Sequence, residues 1–167
     1  MRKIVASFAA SLDGYIEDAQ GGYDWILIDP EIDFEQMFNR FDTMLFGRKS
    51  YERFHEHARP GTKCLVFSNT LNEVRDGFEL ISGDIRPLME AIRQQEGKDI
   101  FIFGGPSLLT SLLDLNLVDE IEVNIVPVLL GQGKPMVEAL HERVTLSLLR
   151  QQVFGNGSVT FTYKVNQ

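Results

Sequence analysis

Hydrophobic and polar positions follow two rhythms along this chain, and the changes of rhythm divide it into strands and helices. Ile4–Ala10 is an apolar run closed by the turn-prone Ser11-Leu12-Asp13-Gly14, which predicts a first strand. Tyr15–Pro30 has no period, contains Gly21-Gly22 and Trp25, and has the length of a binding loop or lid. Phe34, Met37, Phe38 and Phe41 fall at i, i+3, i+4 and i+7, the spacing of a helix with one apolar face. Phe41–Phe46 reads as a strand stopping at Gly47, followed by a short helix through Tyr51 and Phe54. Further strands are expected at Cys64–Phe67 and Phe78–Ile81. Ile85, Leu88, Met89 and Ile92 mark another amphipathic helix, with Gly97 in the position of a helix stop.

The last third repeats the theme. Ile100-Phe101-Ile102-Phe103 meets Gly104-Gly105, and Pro106 opens a leucine-rich helix, where its missing N–H is harmless. Ile121–Leu130 reads as a long strand and Gly131-Gln132-Gly133 as a turn. Val144–Phe154 and Val159–Val165 form an antiparallel pair joined by Gly155-Asn156-Gly157, since Asn-Gly favours hairpins. Strands alternating with helices and ending in a hairpin predict one three-layer α/β domain, residues 1–167, around a mixed central sheet.

Composition narrows the function. A hydrophobic fraction of 44% over 167 residues gives enough apolar surface for a sizeable core. The formal charge of −8 argues against non-specific binding to nucleic acid or anionic membranes, so an anionic ligand needs a local positive cluster. One cysteine, Cys64, excludes an internal disulfide and a multi-cysteine zinc site; in an apolar strand it reads as a small core residue. His55-Glu56-His57 lacks the spacing that puts two ligands on one helix face, and His141 stands alone, so no metal is expected. Met1-Arg2-Lys3 precedes too short an apolar stretch for a signal peptide, and no run is long enough to cross a membrane. A cytoplasmic protein is expected.

Three strand exits carry the candidate chemistry: Gly47-Arg48-Lys49-Ser50, Ser68-Asn69-Thr70, and Gly104-Gly105 with Pro106 and Ser107. In α/β sheets ligands bind beyond the carboxyl ends of strands, and backbone N–H groups at a glycine turn opening a helix attract anions. Arg48 and Lys49 offer cationic donors and Ser50 a hydroxyl, a set suited to a phosphate ester. The first exit lacks the glycine and Gly-Lys pair of a nucleoside-triphosphatase phosphate loop, and Gly131-Gln132-Gly133 lacks the third glycine of a dinucleotide fingerprint. Asp13, Asp24, Asp29, Glu31 and Asp33 are carboxylates near the expected cleft, with turn and helix capping as the competing role. None is singled out as catalytic.

The ordered set Ser11-Leu12-Asp13-Gly14, Gly22-x-x-Trp25-Ile26, Gly47-Arg48-Lys49-Ser50, Ile102-Phe103-Gly104-Gly105, Asp119-Glu120 and Pro127-Val128-Leu129-Leu130-Gly131-Gln132-Gly133 resembles the dihydrofolate reductase superfamily. Within it, the chain is most similar to the riboflavin-biosynthesis reductase domain, which reduces a 5-amino-6-(5-phosphoribosylamino)uracil. The resemblance implies a three-layer α/β/α fold with a mainly parallel sheet of about eight strands and a C-terminal antiparallel hairpin. It implies NADPH held by Gly47, Arg48, Lys49 and Ser50, with Arg48 or Lys49 at the 2′-phosphate. Ser68 and Asn69 fall on the adenosine side, and Gly104, Gly105, Pro106, Ser107 and Leu108 on the pyrophosphate turn, where the superfamily often has a cis Gly-Gly bond. Asp13-Gly14 and Trp25 match the loop beside the nicotinamide. The resemblance makes a homodimer an expectation compatible with the chain, with Ile121–Leu130 as either an interface or a central strand.

On the substrate side the candidates are Asp13, Trp25, Asp33, Phe38 and Phe103. The positions where riboflavin-pathway reductases carry an arginine and a glutamate fall at Phe38 and Phe103. A pocket lined by Trp25, Phe38 and Phe103 is expected to be apolar and poorly suited to a phosphoribosyl group. The leading expectation is an NADPH-dependent reductase of a C=O or C=N bond in a small substrate. The alternatives are a folate or pteridine reductase with Asp33 as its acid, and a non-catalytic nucleotide-binding module.

Overall fold

Apolar runs of four to eight residues bounded by turns pair side by side, because a strand buried on both faces satisfies its backbone only through its neighbours. In the computed structural model, which describes residues 1–166, they form one sheet. The elements in order are β1 (Ile4–Ser11), β2 (Tyr15–Asp18), α1 (Phe34–Asn39), β3 (Phe41–Gly47) and α2 (Arg48–Phe54). A 3-10 turn at His55–His57 leads to β4 (Lys63–Phe67), β5 (Phe78–Ile81), α3 (Arg86–Gln94), β6 (Asp99–Gly104) and α4 (Pro106–Asp114). The chain closes with β7 (Glu120–Val126), β8 (Gly133–Pro135), β9 (Thr145–Val153) and β10 (Val159–Asn166).

The eight-stranded sheet has the order β5-β4-β3-β6-β1-β7-β10-β9. The first six strands in that order run parallel; β10 is antiparallel to both β7 and β9. One face packs on α3 and α4 through Ile4, Leu45, Leu65, Met89, Ile92, Leu109 and Leu112. The other carries a second cluster of Val5, Phe41, Met44, Phe46, Cys64, Val66 and Phe101, closed by Tyr51 of α2 and Phe38 of α1.

Several expectations shift. The stretch predicted as an irregular loop opens with β2, which pairs with β8 in a two-stranded ribbon, so Gly133 of the expected turn is a strand residue. It must be glycine: its φ is +155°, and a Cβ there would sit 2.1 Å from the Glu17 carbonyl oxygen. β7 ends at Val126 rather than Leu130, because Pro127 has no N–H for the ladder and Val128 N–H turns back to the Val126 carbonyl (2.8 Å). Gly97 does not stop α3, whose cap is Gln95; it leaves room for Asp42, whose Oδ2 would lie 2.6 Å from a Cβ. Phe41 is the first residue of β3, not the last turn of α1. No residue of α1 is buried. Its apolar side lines a cavity, and Phe38 alone of that side also packs on the second cluster.

Candidate active site

Two adjoining cavities lie where the parallel strands end. The larger, about 870 Å³, is bounded by α1, the 23–33 segment and the outer half of the sheet; the smaller, about 250 Å³, by Ser50, Gly104, Gly105, Pro106, Ile16, Glu17 and Lys134. Phe8, Ala9, Tyr23, Ile26 and Phe103 line both, so the two cavities adjoin along a shared apolar border.

The smaller cavity ends at the glycine pair. The Gly104–Gly105 peptide bond is cis. Pro106 opens α4, and Gly105 accepts from the N–H groups of Leu108 and Leu109 (both 3.1 Å). Small side chains matter here: a Cβ on Gly105 would stand 3.2 Å from Ser50 Oγ and 3.9 Å from Lys134 Nζ, and one on Gly47 would stand 3.4 Å from Gly104 O. Leu108 is buried under the turn while Ser107 is exposed, its carbonyl accepting from Ser111 Oγ (2.9 Å).

The remaining residues proposed for a cofactor, Arg48, Lys49, Ser68 and Asn69, line neither cavity. Arg48 and Lys49 form the first turn of α2; Arg48 is paired with Glu52 (2.9 Å), whereas Lys49 is exposed. Ser68 Oγ accepts from the N–H groups of Thr70 and Leu71 (both 3.1 Å), and Asn69 Oδ1 accepts from Gly83 N–H (2.9 Å). Both therefore build the turn after β4.

The larger cavity differs from the expected apolar pocket. Phe34, Met37, Phe38, Phe101 and Phe103 supply an apolar wall, with Phe38 edge-on to Phe101. The floor is polar. Ser7 of β1 stands opposite Glu122 of β7, Glu122 opposite Thr162 of β10, and Thr162 opposite Arg150 of β9. Glu122 is 8% exposed and accepts from Arg150 (2.7 Å), Ser7 Oγ (3.2 Å) and Thr162 Oγ1 (3.3 Å). Asn124 donates to Thr160 Oγ1 (2.9 Å) and Ser158 Oγ (3.3 Å). Arg40, the C-cap of α1, lies 3.4 Å from Glu120 and 3.7 Å from Glu122. A guanidinium thus enters from α1 two positions after Phe38, and a carboxylate from β7 instead of position 103. The signal for the carboxylate was period-two alternation: in Glu120-Ile121-Glu122-Val123-Asn124-Ile125 every second residue of a central strand is polar.

Other candidates take structural posts. Trp25 lines neither cavity; its indole donates to the Gly22 carbonyl (3.3 Å), while its neighbours Tyr23, Ile26, Leu27 and Ile28 face the large cavity. Asp33 borders that cavity but is exposed, capping α1 by accepting from Gln36 N–H (2.9 Å). Asp13 is outside both cavities: it accepts from Ser11 Oγ (2.6 Å) and from the N–H groups of Gly131 (2.7 Å) and Leu130 (3.1 Å). The Ser11 hydroxyl, then those N–H groups, hold its carboxyl below the ordinary value. Asp29, buried, accepts from Glu31 N–H and Asn156 N–H (both 3.0 Å), and Asn156 Nδ2 donates to the Leu27 carbonyl (2.8 Å). The hairpin tip so fixes the 23–33 segment over the larger cavity. Among the described residues no group of three His, Cys, Asp or Glu side chains could hold a metal ion, and no helix is long and apolar enough to cross a membrane.

A mainly parallel sheet with an antiparallel C-terminal pair and a glycine turn at the end of a central strand defines the dihydrofolate reductase-like class. The profile of the RibD C-terminal domain matches residues 2–160, and the chain belongs to that family, the riboflavin-type reductase family its motifs resemble. It is 34% identical over 180 aligned positions to YyaP of Bacillus subtilis (strain 168), an uncharacterized protein, covering 99% of this chain and 96% of YyaP. Its fold is similar to that of a putative riboflavin biosynthesis protein from Shewanella sp. PV-4 (TM-score 0.86, 24% identity, 99% of both chains). It is also similar to dihydrofolate reductase from Enterococcus faecalis in complex with NADP(H) (TM-score 0.74, 16% identity, 99% of this chain and 97% of that one).

Proposed function

We propose that this protein is an NADPH-dependent reductase that takes a small planar substrate with polar edges in the larger cavity. The observation that supports this best is the wall common to the two cavities, formed by Phe8, Ala9, Tyr23, Ile26 and Phe103. It brings a groove ending at an anion-compatible glycine turn against a chamber with an aromatic side and a hydrogen-bonding floor. The glycine cradle beside Ser50 fits a diphosphate, because no side chain at Gly104 or Gly105 blocks approach to the backbone. When bound, NADPH supplies the hydride. Ser50, Gly104, Gly105 and Pro106 would hold its diphosphate and Arg48 with Lys49 its 2′-phosphate. The apolar residues common to both cavities keep water from the reacting carbon and orient it against the cofactor.

The polar floor changes the substrate reading. Arg40 and Arg150 give the cavity two guanidiniums, and Glu122 and the Asn124 amide give it acceptors, so a polar or phosphorylated substituent has partners here. Asp33, as an exposed helix cap, offers no support for the folate-type acid role. A homodimer belongs to the same reading; it is supported by the edge strand β9, which exposes Leu146, Leu148, Leu149 and Val153, and sedimentation velocity tests it.

The direct test is titration of the protein with NADPH and NADH by nucleotide fluorescence. Arg48→Ala is expected to weaken NADPH about tenfold, some 1.4 kcal/mol, and to leave NADH within about twofold. Failure of the wild-type protein to bind NADPH would refute the reading.

A further inference from the structure

Lys134 has no part in the cofactor set implied by the family resemblance, yet it reaches the glycine pair from a distant strand. It sits on β8, and its ammonium stands 3.9 Å from where a Cβ of Gly105 would be, on the same side as Ser50 Oγ. Among the described residues lining the smaller cavity, Lys134 is the one cation and Glu17 the one carboxylate. The two are paired at 3.2 Å, with Lys134 about one-third exposed. Glu17 also holds Arg53 at 3.1 Å, and Arg53 is fixed further by the Gly21 carbonyl (2.6 Å) and the ring of Tyr23. One carboxylate therefore serves two cations, and losing Lys134 leaves it paired.

We infer that Lys134 is the positioning residue for the cofactor's diphosphate, and that Glu17 is the counter-ion that holds it ready and releases it. The inference rests on the NADPH reading above. A diphosphate carries negative charge into a groove whose own backbone donors are neutral, in a protein of net charge −8. Without Lys134, the one charged side chain lining the groove is Glu17, which has the same sign as the diphosphate. An ammonium on a four-carbon stem moves a few ångströms from carboxylate to phosphate at little cost, which a rigid guanidinium fork does not. Arg53 supplies the second half of the device by neutralising Glu17 after the exchange. The arrangement also joins chemistry to the β2–β8 ribbon, since Glu17 and Lys134 are register partners across it.

The experiment compares NADPH and NADH, which share the diphosphate and differ in the 2′-phosphate. Lys134→Met is expected to weaken both about tenfold by the same factor, as loss of one charge-assisted hydrogen bond does. Arg48→Ala weakens NADPH alone. Lys134→Arg, which keeps the charge but presents a rigid fork, recovers only part of the binding. Glu17→Gln breaks the same ion pair but leaves the ammonium in place, and is expected to tighten both nucleotides about threefold. Weakening of both nucleotides by Glu17→Gln as much as by Lys134→Met would show that the pair merely braces the ribbon, and would overturn the assignment. So would wild-type affinity in Lys134→Met, with the cofactor reading intact. Absence of NADPH binding to the wild-type protein would overturn that reading, and the role of Lys134 with it.

Discussion

One face of the sheet is built in two chemistries. On the β4-β3-β6 side it carries Cys64, Val66, Met44, Phe46 and Phe101; on the β1-β7-β10-β9 side it carries Ser7, Glu122, Asn124, Thr160, Thr162 and Arg150. The rows are continuous: Cys64 pairs with Met44, Met44 with Phe101 and Phe101 with Val5, and then Val5 meets Glu120 and Glu120 meets Lys164. The two halves are treated differently. The aromatic half is covered by Tyr51 and Phe38, so its free energy comes from apolar area removed from water. The polar half faces the large cavity, so its groups satisfy one another and keep donors and acceptors turned towards a ligand. Phe103 stands at the seam, stacked on Phe46 at 4.7 Å and lining both cavities.

The sharpest way to break this division is Phe46→Ala. Phe46 is fully buried between Phe103 and Phe78, and its truncation should cost about 3–5 kcal/mol in urea unfolding. A cost under about 1 kcal/mol would mean that the aromatic half is loosely packed and that stability resides elsewhere. In the polar half, Glu122→Ala removes acceptors for Arg150, Ser7 and Thr162. Arg150 and Arg40 keep access to water, with side chains 64% and 30% exposed, so the expected cost is about 2 kcal/mol, below that of breaking a fully buried pair. If Glu122→Ala matches Phe46→Ala, the floor is core and the distinction falls.

The same division explains what could be read from the sequence. The aromatic half announces itself as unbroken apolar runs, Met44-Leu45-Phe46, Cys64-Leu65-Val66-Phe67 and Ile100-Phe101-Ile102-Phe103, and the glycine pair marks where its ligand-binding edge lies. The polar half writes a different signal. In β7 Ile121 joins the helix-side core and Val123 shares its face, while Glu122 and Asn124 face the cavity, so a run read as one strand conceals a working face. β2 and β8, of four and three residues, are too short to show any period, and Lys134 joins the glycine turn only through their pairing. Trp25 misled because a lone tryptophan in a loop signals an anchor without saying what it anchors. In this fold its neighbours, not its ring, reach the cavity. Phe34, Met37 and Phe38 gave the right helix, but only Phe38 meets the core while all three line the cavity, since periodicity identifies an apolar face but not whether protein or ligand covers it.

The smallest expected effect separates the halves by titration, because each contains one group whose ionisation is displaced in the same direction for a different reason. Burial pushes the Cys64 thiol above its ordinary value; the hydrogen bond and charge of Glu120 push the Lys3 ammonium above its own. A group raised in the folded state contributes stability fully below its unfolded value and loses it as pH climbs towards and through the folded one. Both halves therefore weaken in alkali, Cys64 from its ordinary value of 9.0 and Lys3 from 10.5. Salt tells them apart. The Lys3 contribution is an ion pair with a half-exposed side chain and is screened, whereas the Cys64 contribution is desolvation and is not. In urea unfolding between about pH 8 and 12, Cys64→Ala should flatten the first part of the alkaline decline at low and high salt alike. Lys3→Met should flatten only the later part, and only at low salt. If Lys3→Met acts equally at both salt concentrations, the ammonium is held by packing, and the polar half is less dependent on charge pairing than its geometry requires.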